Sequence, residues 1–310
     1  MKHCFILNPA AGKTDRTAEL RKKITALCEA RGLDYAIAVS RAPGQCETLA
    51  REMAQRGEPC RIYACGGDGT LNEVVNGAAL CENCAVTHYP IGSGNDFIKA
   101  SSDPAAFADL ERLLEPEERV FDLIRVNDRL GVDICSIGID ARIGTDVGKY
   151  KRIPLMTGSG AYALSTLVNV IKGIHRHYIV EIAGERIDAR QTMICVCNGR
   201  WYGGGFNPVP DAELDDGLLD VLLVAPVSRL QVASIIGKYK KGQYRDYPGL
   251  IRHFRVPELR VICDSESRVN IDGELLLARD VRFSVARHKI RFFYPKGLSW
   301  EAKSTIPGAK

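Results

Sequence analysis

The sequence predicts two parts, an N-terminal doubly wound α/β domain and a C-terminal domain that is mostly antiparallel β. Three observations predict it. Over the first 120 residues, short apolar runs alternate with stretches whose apolar residues recur at helical spacing, the pattern of a parallel sheet with helices on both faces. Three of those runs end in glycine-rich polar turns. From about Arg119 the alternation gives way to short strand-like runs separated by turns, as in a β-sandwich. A chain of 310 residues also exceeds the usual single domain.

Taken in order, HCFIL (3–7) reads as a first strand, followed by the turn NPAAGK. Leu20, Ile24, Leu27 and Cys28 then mark one face of a helix ending near Gly32. A second strand, Tyr35 to Val39, stops at Ser40, and APGQ leads into a helix with Leu49 and Met53 inward. Arg61 to Cys65 is a third strand ending at Gly66, Gly67, Asp68 and Gly69. Thr70 followed by Glu73 is a capping-box pattern, so the next helix is expected to start at Thr70, with Leu71, Val74, Val75 and Ala78 on its buried face. VTHYPI (86–91) is a fourth strand, followed by GSGNDF. In the second part, VFDLIRVNDRLGVDICSIGID reads as a hairpin around Asn127 and Asp128. Residues 149–175 read as helical, and strands are expected at 178–182, 192–197, 218–224, 259–263, 268–271, 281–286 and 289–294.

Composition narrows the classes. Hydrophobic residues at 45% and charged ones at 26% are those of a globular chain, and a net charge of +4 argues against a dedicated nucleic-acid binder. The apolar start is too short for a signal-peptide core, and the longest apolar candidate, 161–171, is broken by Ser165, Thr166 and Asn169. Eleven cysteines, an odd number with many in apolar runs, suit a reducing compartment. The expectation is a cytoplasmic protein that meets a membrane only peripherally. Cys81 and Cys84 form a CxxC, but no second pair or histidine set completes a zinc site.

The three glycine turns, Asn8 to Lys13, Gly66 to Thr70 and Gly92 to Asp96, would share one rim of the sheet, where ligands of such folds bind. A helix N-terminus facing a glycine turn attracts phosphate, and three such turns with one lysine describe a polyanion site. Tight βα turns would explain the glycines, but not Asn8, Asp68, Asn95 and Asp96. Neither common phosphate motif fits: GxxxxGK[ST] is absent, and Asn72 stands where GxGxxG needs its last glycine. Asp68 would repel a phosphate unless it holds a metal ion or accepts a proton from an attacking hydroxyl; otherwise it stabilises the helix start. In the second part, Asp211, Glu213, Asp215 and Asp216 form either a hard-cation site or a solvated acidic turn. The basic and aromatic stretch 238–255 suits an anionic membrane or a solvated helix end. NIDGELL (270–276) is a hairpin turn whose tip could project Asp272 and Glu274 into an interdomain cleft.

NPAAGK (8–13), GGDGTLNEVVNG (66–77), GSGNDF (92–97), LDDGLLD (214–220) and DGE (272–274) together resemble the signature set of the diacylglycerol kinase catalytic-domain family, especially its bacterial soluble lipid kinases, which are related to sphingosine and ceramide kinases. The resemblance runs over nearly the whole chain. It implies a nucleotide-binding α/β domain over 1–121, a β-sandwich lipid-substrate domain over 122–294, a segment 295–310 packing back on the first domain, and an active site in the interdomain cleft. It carries nucleotide contacts onto Asn8, Pro9, Ala10, Ala11, Gly12, Lys13, Ser40, Gly66, Gly67, Asp68, Gly69, Thr70, Leu71, Asn72, Ser93 and Asn95. Catalytic roles fall on Asp68, Asp272 and Glu274, and a structural Mg2+ site on Glu213, Asp216 and the Leu218 carbonyl. Ser93 and Ser40 stand where relatives usually have threonine, and Gln45 and Cys46 replace a histidine and an alanine common after the APG turn.

The resemblance implies transfer of the ATP γ-phosphoryl group to a lipid hydroxyl at a membrane surface, with diacylglycerol the first expectation. Phosphatidylglycerol, a sphingoid base or ceramide are the other lipid acceptors. A soluble acceptor, as in the NAD kinases that share GGDGT, and a non-catalytic sensor are the rival classes. ATP and Mg2+ are the implied cofactors, nucleic acid is not a partner, and exposed β edges make a homodimer plausible.

Overall fold

The computed structural model describes residues 1–150, 153, 164, 165, 168 and 175–301. The chain forms two compact units, one of residues 1–122 with 287–301, the other built on 123–286.

The first unit is a six-stranded sheet. β1 (Lys2–Leu7), α1 (Thr17–Ala30), β2 (Tyr35–Val39), α2 (Gln45–Ala54), β3 (Cys60–Gly66), α3 (Asp68–Ala78) and β4 (Cys84–Pro90) alternate as the sequence periodicity requires. Two short 3-10 turns, Phe97–Ala100 and Pro104–Ala108, lead to α4 (Leu110–Leu114) and β5 (Pro116–Phe121). The Asp109 side chain caps α4 by accepting from the Glu111 and Arg112 N–H groups. The strand order is β2-β1-β3-β4-β16-β5, where β16 is Ile290–Pro295 from the far end of the chain. Strands β1 to β4 are parallel, β16 runs parallel to β4, and β5 is antiparallel to β16. The run 289–294, expected in the second domain, therefore belongs to the first sheet. Its aromatics supply the reason: Phe292 packs on Phe97, Phe107, Phe121 and Trp300, and Phe293 meets Tyr63 edge-on.

The second unit is antiparallel. It comprises β6 (Ile124–Val126), β7 (Arg129–Gly131), β8 (Ile134–Gly138), α5 (Ile139–Tyr150), β9 (Arg176–Ile182), β10 (Glu185–Gln191), β11 (Met193–Cys197), β12 (Leu219–Val224), α6 (Arg229–Tyr239), β13 (Ile251–Val256), β14 (Glu258–Ile271) and β15 (Glu274–Val285). The order is β13-β12-β11-β8-β14-β15-β6-β7, with β9 also on β14 and β10 on β9. The expected hairpin at Asn127 is present, its left-handed turn residue at φ 51°. The two strands expected at 259–263 and 268–271 are one, β14, with a register shift between Ile262 and Ser267. That irregularity bends the long hairpin so that its base pairs with β9 and its tip with β8. The sheet folds over a core that includes Ile137, Val180, Val196, Val221, Val261 and Phe283. The outer face of β8, β11 and β12 carries a second cluster of Ile134, Cys195 and Leu222 with Ile139 and Ile143 of α5 and Tyr239 of α6. Strands β10 and β13 were not foreseen: β10 alternates too many charges, and β13 was read as part of the basic stretch 238–255.

The helix expected over 149–175 lies mostly outside the described residues, as do 302–310 at the end of the segment expected to pack back. No described helix is long and apolar enough to cross a membrane. All eleven cysteines are free thiols, ten of them buried.

Candidate active site

The three glycine turns meet at the carboxyl ends of β1, β3 and β4. They are tied by hydrogen bonds from chain segments more than twenty residues apart. The Gly66 carbonyl accepts the Ile91 and Gly92 N–H groups at 2.8 and 3.1 Å. The Asp68 carboxylate accepts the Asn95 N–H at 2.8 Å through Oδ2 and the Asp96 N–H at 2.5 Å through Oδ1. Asn95 turns its amide back to the Gly92 carbonyl at 2.8 Å and stands at φ 51°. From the first turn, Asn8 Nδ2 donates to the Thr70 hydroxyl at 2.9 Å, while Asn8 Oδ1 accepts the Ala10 N–H. Two glycines are dictated by proximity: a Cβ on Gly92 would lie 2.5 Å from the Gly67 Cα, and one on Gly94 would lie 2.5 Å from Asp68 Oδ2.

The helix start differs from the capping-box expectation. α3 begins at Asp68 with Gly67 as N-cap, and no side chain caps it. Thr70 is engaged by Asn8, and Glu73 reaches α2 instead, accepting the Gly44 and Cys46 N–H groups, both at 2.9 Å. Two free donors at the first turn of α2 win over Glu73's own helix start. The N-terminus of α3 is therefore left open beside the interlocked turns, where its dipole favours an anion.

The predicted contact residues divide by burial. Pro9, Ala11, Gly67, Gly69 and Asn95 are half-buried, and Ala10, Gly12, Lys13 and Ser93 exposed, on the turns themselves. Ser40, Gly66, Thr70, Leu71 and Asn72 are buried, so Leu71 can offer a ligand only its backbone. Asp96 was written into the motif but given no role. It is 6% exposed, flanks Gly94 opposite Asp68, and pairs with Lys99 at 2.5 Å.

In the second unit, Asp272 sits in the left-handed conformation (φ 51°) between β14 and β15. Its carboxylate accepts three consecutive backbone N–H groups, Val132 at 2.5 Å and Asp133 and Ile134 at 3.0 Å. The three bonds fix the Asp272 carboxylate in place, whereas the Glu274 side chain, two residues on, is exposed.

Of the expected Mg2+ set, Asp216 has two partners of its own. Asp216 Oδ1 accepts the Leu218 N–H at 3.0 Å, and Oδ2 pairs with the Arg255 guanidinium of β13. Burial first, and then the neighbouring Asp220 and Glu213, push the Asp216 carboxyl above its usual range. Asp211 is likewise paired, with Arg245 at 2.6 Å. Among the described residues no group of three potential ligands is placed to hold a metal ion. Basic residues of the stretch 238–255 are engaged within the unit: Lys238 pairs with Asp246, Lys240 lies over the Phe206 ring, and Arg252 pairs with Glu185.

The second unit also holds an apolar pocket between α5, α6 and the sheet, walled by Ile143, Met193, Phe206, Val224, Ile236 and Leu250. Asp140, in the first turn of α5, is the one carboxylate in the wall among the described residues. Burial pushes its pKa up to about 6, against Ser136 and Tyr202, which favour the charged form. Asp140 and the pocket carried no sequence signal, because the lining comes from five separate elements.

A parallel sheet with interlocked glycine turns, joined to an antiparallel sandwich bearing a DGE tip, is the architecture of diacylglycerol kinase catalytic proteins. Residues 2–126 match the diacylglycerol kinase catalytic domain, and residues 133–294 match the YegS C-terminal NAD kinase beta sandwich-like domain. A "Probable lipid kinase YegS-like" of Pseudomonas aeruginosa PAO1 is 30% identical over 294 residues, covering 92% of this chain and 93% of that protein. A "Putative lipid kinase" of Staphylococcus carnosus is 25% identical over 235 residues, covering 75% and 76%. The crystal structure of a "putative diacylglycerol kinase" from Bacillus anthracis superposes with a TM-score of 0.76 at 22% identity, covering 96% of this chain and 98% of the other. The chain belongs to the YegS-like lipid kinases of the diacylglycerol kinase catalytic-domain family, ATP-using phosphotransferases with an alcohol acceptor.

Proposed function

We propose that this chain transfers the γ-phosphoryl group of MgATP to the free hydroxyl of diacylglycerol at a membrane surface, giving phosphatidic acid. The observation that carries the lipid half of this reading is the apolar pocket, which lies in the same unit as Asp272 and Glu274 and suits a hydrocarbon chain. The nucleotide half rests on the interlocked turns and the uncapped start of α3.

In this reading the Gly67 to Thr70 backbone and the Asn8 to Lys13 turn cradle the phosphates, and Lys13 offsets part of their charge. A magnesium ion bound with the nucleotide would supply charge shielding at the transferring group. Asp68 keeps the second and third turns in register. Glu274 takes the proton from the lipid hydroxyl, and Asp272 fixes the hairpin tip that carries Glu274. A primary alcohol is a poor acid, so orientation and charge neutralisation supply more of the acceleration than proton removal.

The test is labelled ATP with vesicles carrying diacylglycerol, phosphatidylglycerol, a sphingoid base or ceramide in turn, beside soluble acceptors. The expected result is labelled phosphatidic acid, at a rate that depends on vesicle surface. Label in another lipid moves the acceptor within the class. A rate indifferent to vesicles, with a soluble product, overturns the membrane reading.

A further inference from the structure

The Gly66 carbonyl ends β3 and shares its peptide plane with the Gly67 N–H. Besides the Ile91 and Gly92 N–H groups, it has a third neighbour: His88 Nε2 lies 3.1 Å away. His88 is on β4, opposite Ala64 in the β3 ladder, and is wholly buried. A carbonyl only accepts, so the contact requires the proton on Nε2. Burial holds the imidazole below its usual pKa, the attraction of Asp68 working the other way. The ring therefore serves as a neutral donor. Among the described residues its other nitrogen, Nδ1, is buried with no partner.

This is an unfavourable choice for stability alone. A buried strand position suits valine or isoleucine, which would leave no polar atom unpaired. What the imidazole supplies is one hydrogen bond to the carbonyl heading the turn that carries Asp68. A trans peptide is planar, so a carbonyl pinned toward β4 sends the Gly67 N–H the opposite way. Among the described residues nothing accepts that N–H.

We propose that His88 is a positioning residue for phosphoryl transfer, its Nε2–H locking the Gly66–Gly67 peptide so that the Gly67 N–H is presented to a nucleotide phosphate. This rests on the kinase reading of the turns. It does not depend on which lipid is phosphorylated.

Three variants test it: His88→Leu keeps bulk without a donor, His88→Gln places an amide N–H near Nε2, and His88→Asn has an amide too short to reach Gly66. Calorimetric titration with MgATP, without lipid, gives nucleotide affinity per folded protein, and lipid phosphorylation gives kcat and both KM values. The expected result is MgATP affinity about tenfold or more weaker in the Leu and Asn variants, since a donor to a charged group is misaligned. The Gln variant should stay within about threefold of wild type, and the KM for lipid should be unchanged throughout. A purely structural role would lower thermal midpoints while leaving MgATP affinity per folded molecule at the wild-type value, and that result overturns the proposal. If the Leu variant does not fold, Asn against Gln decides alone, and equal affinities for those two sink it. A wild type that binds MgATP but phosphorylates no lipid would defeat the proposed function, while the titration still judges His88.

Discussion

The Asp68 carboxylate takes the Asn95 backbone N–H at 2.8 Å, so one residue of the second glycine turn holds the third in place. As a residue on a turn, Asp68 is expected from the sequence to cost turnover far more than folding when lost. The structure alters that expectation, because two charge-assisted bonds tie segments 27 and 28 residues apart. Asp68→Ala should lower turnover by about 100-fold or more through misplaced turns. It should also destabilise the first unit by about 3 kcal/mol. Steady-state kinetics and chemical denaturation read the two effects separately, and unchanged denaturation would show that the latch contributes nothing.

Asp272 and Glu274 should separate in the same two measurements. Glu274 is exposed, so Glu274→Gln should cut kcat by about 100-fold or more with a thermal midpoint close to wild type. Asp272→Ala strands three backbone N–H groups and should cost about 3 kcal/mol or more as well as activity. A Glu274→Gln enzyme with normal kcat would move the proton acceptor elsewhere.

Asp140 predicts a pH effect on stability. Its folded pKa, about 6, is above the ordinary carboxylate value of 3.8, so between those values the folded protein binds more protons than the unfolded chain. Stability should therefore fall as pH rises from about 4 to 6, and the loss should be complete above that. Asp140→Asn removes the ionisation and should be the more stable protein at pH 7 to 8 by roughly 2 to 3 kcal/mol, with no such gain at pH 4. Thermal midpoints of both proteins across that range are the check.

Arg255 supplies the positive charge beside Asp216. Adding Mg2+ or a chelator to the nucleotide-free wild type should therefore leave the thermal midpoint unchanged. In Arg255→Leu, where Asp216 and Asp220 lose that charge, Mg2+ should raise the midpoint by a few degrees. A wild type that loses several degrees in chelator would restore the cation at this turn.

Local signals carried most of the fold. The alternation of β1 to β4 with their helices follows directly from apolar spacing, and the three turns were recognisable because glycine, asparagine and aspartate are required where strands end abruptly. Long-range partners were not legible. Thr70 and Glu73 form a valid capping box in isolation, and only the nearness of Asn8 and of the α2 start redirects both. The pairing of Asp216 in the acidic turn with Arg255 was not legible, because Arg255 is 39 residues away. His88 gave no signal, since one histidine in a buried strand acquires meaning only from the carbonyl beneath it. The run 289–294 looked like one more antiparallel strand because periodicity does not say which sheet a strand joins.

That last strand governs how the protein can be made. With β16 lying between β4 and β5, the first sheet stays open, and Phe121 and Phe97 lack the Phe292 ring they pack on, until the chain has been made through β16. A ribosome extending the chain adds residues 123–286 before β16, so the unit that holds β1 to β5 is the later one to close. Any nascent or truncated chain ending before residue 290 carries an unpaired β4 edge and an unfilled aromatic core, and the turns that would hold a nucleotide then stand on a sheet that is not yet complete.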